Sequence, residues 1–234
     1  MGAVAISFLT VARIESLFAA TGWMAVRMSF ESKSDMKTLP LIVSIALLLG
    51  ASSACAQKPS NETAPATFRV NFDTSRGPVV IEVTRADAPI GADRFYNLVK
   101  AKYFDGARFF RVIPGFMAQF GLAADPAVSK TWDVPIQDDP VKASNVRGTL
   151  TFAATGAPNS RSTQLFINFG NNNRLDSMRF APFGKVVSGM EFVDQIYSGY
   201  GEQPDQGRIE AEGNAYMEKE FPRLDYIKTA RIEQ

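Results

Sequence analysis

The chain has 234 residues, 46% of them hydrophobic, and a formal net charge of +1. That length suits one domain with extensions, and the balanced charge offers no basic footprint for nucleic acid. Histidine is absent and Cys55 is the only cysteine, which excludes Ser-His-Asp and Cys-His catalysis, histidine-ligated metal sites and an intrachain disulfide.

The first 35 residues carry no targeting pattern and are expected to be a functionless upstream extension, with Met36 as the natural start. Residues 36–56, MKTLPLIVSIALLLGASSACA, combine a positive start at Lys37, an apolar stretch from Leu39 to Leu49 and a run of small residues. This is signal-peptide anatomy, and the apolar stretch falls short of the roughly 20 residues that span a bilayer. Two processing routes fit: cleavage after Ala56, or lipidation of Cys55 as the first residue of a lipoprotein. Either makes the protein an exported, periplasmic one, soluble or membrane-anchored. Residues 57–66, QKPSNETAPA, have a linker composition. Residues 67–234 are left for one functional domain, without internal repeats.

Within it, Phe68, Val70 and Phe72 alternate with polar residues, as in a half-buried strand. A turn at Ser75-Arg76-Gly77 leads to a second strand over Val79–Thr84, which together read as a hairpin. Pro89 opens a helix whose apolar face is Ala92, Phe95, Leu98 and Val99. Further strands are expected at Phe109–Ile113, Phe116–Phe120, Thr149–Ala154, Gln164–Phe169, Phe183–Val187 and Tyr226–Ile232. A second helix is expected from Ser188, with Glu191 completing a capping box and Met190, Val193, Ile196 and Tyr197 as its apolar face. Residues 214–221 form a short helix, and the charged residues from Gln206 to Ile227 read as a solvated face with no site. Many short strands and two helices suggest a closed antiparallel barrel. With 18 phenylalanines, its core should be aromatic, with some rings left to line an apolar groove.

Two segments carry chemistry. In FFRVIPGFMAQ (109–119), Arg111 stands among apolar residues. Taken by itself it is an outward-facing solvated side chain, half of an ion pair, or a functional group. Pro114-Gly115 makes a turn, after which Met117 and Gln119 share a strand face. In the second segment, Gln164, Phe166 and Asn168 share a face of a strand that follows a Gly/Pro/Asn/Ser loop. That face is part of a groove or an ordinary exposed one.

Together these segments resemble the cyclophilin family. Its core signature looks like F-H-R-I/V-I-P-G-F-M-x-Q-G-G, and residues 109–121 read FFRVIPGFMAQFG. A second family block is similar to AATGAPNSRSTQLFI (153–167), and a third to RLDSMRFAPFGKVVSGMEFV (174–193). The resemblance covers about residues 68–232. It implies a mainly β fold, a closed eight-stranded antiparallel β-barrel capped by two α-helices, and a peptidyl-prolyl cis–trans isomerase. Arg111 and Gln119 match the family's catalytic positions. Phe116, Met117, Ala154, Gln164, Phe166, Leu175 and Phe180 match or adjoin its substrate-binding positions, with Phe116, Met117, Phe166 and Leu175 forming a socket for the proline ring.

The resemblance implies neither metal nor cofactor. It implies a monomer acting on proline-containing unfolded or flexible polypeptides, here assisting the folding of exported proteins, and a lipid anchor if Cys55 is modified. Four residues depart from the pattern. Phe110 replaces a frequent histidine, Phe120 the first glycine after Gln119, and Arg174 a tryptophan associated with cyclosporin binding. Phe180 falls where many members have histidine. These departures leave a second reading open, a non-catalytic proline-peptide-binding chaperone or assembly module on the same fold.

Overall fold

Apolar alternation becomes pairing at once in the computed structural model, which describes residues 60–233. β1 (Thr67–Thr74) turns Phe68, Val70, Phe72 and Thr74 inward, and β2 (Pro78–Thr84) answers with Val79, Ile81 and Val83. The two are antiparallel, in register from Thr67 opposite Thr84 to Asp73 opposite Pro78. The Thr74 hydroxyl fixes the turn, accepting from the backbone N–H groups of Arg76 and Gly77 and donating to the Gly77 carbonyl.

The chain continues with α1 (Pro89–Lys100), β3 (Arg111–Ile113), β4 (Met117–Phe120), α2 (Pro126–Trp132), β5 (Thr149–Phe152) and β6 (Leu165–Asn168). Then come α3 (Arg174–Ser177), β7 (Pro182–Ser188), α4 (Met190–Val193), α5 (Gln206–Glu212), α6 (Asn214–Glu220) and β8 (Ile227–Ile232). α1 buries the expected Ala92, Phe95, Leu98 and Val99. The fused apolar core is largely aromatic. Phe95 packs with Phe68, Phe72, Phe104 and Phe183, with centroids 5.5–6.4 Å apart. Phe120 is fully buried against Phe72, Phe104 and Phe109, so the ring that replaces the family's glycine fills core space.

All eight strands form one antiparallel sheet, in the order β3-β4-β6-β5-β7-β2-β1-β8. The expected closed barrel is not formed. The sheet is curled, with β3 and β8 as unpaired edges. β3 is only three residues long and begins after Phe109 and Phe110, which are buried in different clusters. The gap is bridged just upstream instead: Phe109 N–H donates to the Asp225 carbonyl, and Gly106 and Ile227 N–H donate to the Ile227 and Ala107 carbonyls.

The expected second helix forms as a single turn that starts later than Ser188. Ser188 ends β7, and α4 is a single turn whose N-cap is Gly189 at φ +85°, with no side-chain cap. A β-carbon on Gly189 would lie 2.2 Å from the Pro78 carbonyl oxygen, so the close approach of β2 overrides the capping-box pattern.

Residues 36–56, expected to be a leader, the upstream extension and Cys55 lie outside the described residues, as does the first part of the expected linker. Its remainder packs on α1. Ala64 is buried and its N–H donates to Asp93, while Asn97 donates to the Glu62 carbonyl and accepts from the Ser60 hydroxyl and the Glu62 N–H.

Beyond the main core, Phe110, Leu122, Ile209, Tyr216, Met217 and Leu224 form a second buried cluster. It fastens α5 and α6 beside β3 and gives Phe110 its place. A histidine there would have to bury a polar ring among apolar neighbours.

Candidate active site

Strand register builds the site. Arg111 on β3 lies opposite Gln119 on β4, and Gln119 opposite Phe166 on β6. Such cross-strand neighbours share a face at about 5 Å, so residues far apart in sequence line up in one row. Ile113 pairs with Met117 in the next row. Ala118 and Phe120, on the opposite face of β4, belong to the main core.

Along the row runs a chain of hydrogen bonds. Arg111 Nη1 donates to Gln119 Oε1 at 3.3 Å, and Gln119 Nε2 donates to Gln164 Oε1 at 2.8 Å. Beside it, Met117, Phe166 and Leu175 form a third apolar cluster, flanked by Phe116, Ile113, Ala153 and Phe180. All nine expected site residues line one cleft of about 300 Å³: Arg111, Phe116, Met117, Gln119, Ala154, Gln164, Phe166, Leu175 and Phe180.

The walls are held by polar groups behind them. Asn172 donates to the Phe116 carbonyl and to Asn168 Oδ1, and its own carbonyl accepts from Leu175 N–H, seating α3 against β4 and β6. Asn145 donates to the Phe180 carbonyl and to Asp176. Burial pushes the Asp176 carboxyl upward, but bonds from the Ser144 hydroxyl and from the Asn145 side chain and N–H outweigh it and leave the group below the usual carboxylate range. Phe180 meets Phe166 edge-on, with centroids 5.9 Å apart. The Arg161 guanidinium lies over the Phe180 ring, 5.6 Å from its centroid, and bonds to Asp138 and to the Arg179 carbonyl. Arg174, in the tryptophan position, lies 4.8 Å from the Phe116 ring centroid.

Sequence reasoning missed part of the wall. Thr155, Ser160, Ser162 and Gln206 also line the cleft, and Glu202 binds Arg111. Gln206 overturns the expectation that residues 206–227 hold no site, while most of the charged residues there are solvent-exposed as expected. Nothing local marks either residue, since Glu202 is 91 positions from Arg111. Arg111 proves to be half of an ion pair and a cleft residue at once.

The family profile described as cyclophilin type peptidyl-prolyl cis-trans isomerase/CLD matches residues 69–213. The chain belongs to this family. A peptidyl-prolyl cis-trans isomerase of Acinetobacter baylyi is 39% identical over 136 residues, 56% of this chain and 72% of the relative. Peptidyl-prolyl cis-trans isomerase B of Escherichia coli is 31% identical over 166 residues, 68% of this chain and 94% of that protein. A crystal structure of a Cryptosporidium parvum cyclophilin matches with a TM-score of 0.56 at 22% identity, covering 72% of this chain and 98% of its own. The same cyclophilin solved in the presence of the dipeptide Ala-Pro matches with a TM-score of 0.55, covering 71% of this chain and 99% of its own. This cyclophilin-type chain is accordingly a peptidyl-prolyl cis–trans isomerase.

Proposed function

We propose that the cleft isomerises X–Pro bonds of flexible polypeptides with Arg111 as the donor to the proline nitrogen and with Phe116, Met117, Phe166 and Leu175 as the ring socket. The observation that carries this is the Arg111–Gln119–Gln164 hydrogen-bonded row running beside that apolar cluster.

Resonance gives the peptide C–N bond a rotational barrier of roughly 18–20 kcal/mol, and uncatalysed X–Pro isomerisation takes about 10–100 s at 25 °C. No covalent bond breaks and no proton moves, so a chain without histidine can catalyse it. Twisting the bond localises the lone pair on the proline nitrogen. A donor aimed there stabilises the twisted state more than the planar one, which is differential binding. A guanidinium stays charged at any working pH and offers five N–H groups in a fixed plane. The socket grips the ring while the preceding carbonyl swings, so catalysis is positioning plus preorganised electrostatics. Gln119 orients Arg111 on one side and is itself fixed by Gln164.

The test is exchange spectroscopy on an X–Pro peptide with Arg111→Ala. Removing a preorganised donor should lower kcat/KM by about 10²-fold or more, and wild-type activity in the variant would reject the assignment.

The clients we infer are exported proteins, met by an isomerase that is itself exported and monomeric. Residues 36–56 support the export by their leader anatomy. The mass of the mature N-terminus tests it: a chain starting at lipidated Cys55 or at Gln57 agrees, and one retaining residues 36–56 does not.

A further inference from the structure

Among the described residues, Glu202 makes two of the three hydrogen bonds that hold the Arg111 side chain. Nε and Nη2 both donate to Glu202 Oε2, at 3.0 and 2.9 Å. The third bond, from Nη1 to Gln119, is long at 3.3 Å. Glu202 therefore holds the Nε/Nη2 edge of the guanidinium, while Nη1 bonds Gln119.

The carboxylate is itself held by a built element. Val112 N–H donates to the Gly201 carbonyl at 3.0 Å, so the chain at 198–203 hydrogen-bonds directly to β3. Gly201 sits at φ +56° inside a tight turn, closed by bonds from Gly201 N–H to the Ser198 carbonyl and from Gln203 N–H to the Tyr200 carbonyl. Tyr200 packs edge-on against Tyr197 and Phe221, at 5.1 Å in each case, tying the turn to the cluster around Phe110. From the same segment Gln206 reaches the cleft wall.

We propose that Glu202 is a positioning residue for the isomerase reaction, fixing the Arg111 guanidinium in the orientation that presents Nη1 to the substrate. This rests on the reading of Arg111 as the donor. A free arginine spreads over many rotamers, and one long bond to Gln119 restrains it weakly. A carboxylate on the far edge restrains it before substrate arrives, so the orientation is already set at the transition state. Glu202 also draws down positive charge, which opposes catalysis. Both partners are solvated, with side-chain exposures of 30% for Arg111 and 66% for Glu202, so water screens that field and orientation is the larger effect.

The test measures kcat/KM at low salt for the wild type, Glu202→Ala, Arg111→Ala and the double variant. Glu202→Ala should be slower by about threefold, the scale of a half-exposed ion pair, with the loss in kcat rather than KM. In the Arg111→Ala background the same change should do nothing. Raising ionic strength from about 0.01 to about 1 M shortens the screening length from about 30 to about 3 Å and should bring wild type and Glu202→Ala together. The ¹⁵N resonance of Arg111 Nε should move in Glu202→Ala, while thermal stability stays unchanged. Equal or faster turnover in Glu202→Ala, or an equal loss in both backgrounds, overturns the proposal. An unmoved Nε resonance also overturns it, whatever the role of Arg111, whereas full activity in Arg111→Ala rejects the donor reading itself.

Discussion

Replacing Phe110 by alanine probes whether the helical segment beside the site is integral to the domain. Phe110 is 1% exposed and packs with Leu122, Ile209, Tyr216, Met217 and Leu224. It is the β3-side member of that cluster and adjoins Arg111. Truncating a buried phenylalanine costs about 3–5 kcal/mol, the lost transfer free energy plus the cavity left behind. A domain with about 5–15 kcal/mol in total would keep a native state but lose a large part of its margin. With a urea m-value of about 1–3 kcal/mol per molar, the midpoint should fall by roughly 2 M. Trp132 is a suitable probe, since it lies buried in the main core near Tyr103. Isomerase activity should fall as well, because the segment carrying Glu202 and Gln206 loses its anchor. A midpoint shift below about 0.3 M would refute the packing argument. A normal Trp132 midpoint with accelerated amide exchange confined to 206–221 would refute the view that this segment and the sheet unfold together.

Asp176 should make stability acid-sensitive. Its folded-state affinity for protons is depressed, so its contribution is complete above the unfolded carboxylate pKa of about 3.9 and is lost as pH falls through the lower folded value. Asp176→Asn should therefore be less stable near neutrality and lose less stability on acidification, measured as urea midpoint against pH. Parallel curves for the two proteins would disprove the assignment. Gly189→Ala places a β-carbon 2.2 Å from the Pro78 carbonyl oxygen at a positive φ. The strain should lower Tm by roughly 2–12 °C, from about 1–3 kcal/mol of backbone strain and about 2–4 °C per kcal/mol for a domain of this size. An unchanged Tm in calorimetry would contradict it.

The sequence by itself determined the local elements and the family. Alternation at Phe68, Val70 and Phe72 specifies β1, because a half-buried strand needs period two. Pro89 with Ala92, Phe95, Leu98 and Val99 specifies α1. The blocks at 109–121, 153–167 and 174–193 name residues that the fold gathers around one cleft. Tertiary structure decided what depends on separations the sequence does not encode. Close approach of Pro78 to Gly189 set the start of the second helix in place of the Ser188 cap. β3 begins only at Arg111, and the sheet stays open between β3 and β8. Phe110, which reads as a simple departure from the family pattern, is the anchor of a cluster drawn from α5, α6 and their flanks. From its neighbours alone Arg111 reads as a solvated side chain or an ion-pair partner before it reads as a functional group. Only the fold brings Glu202 and Gln119 to its two edges, because a charge partner is set by distance in space and not by spacing along the chain.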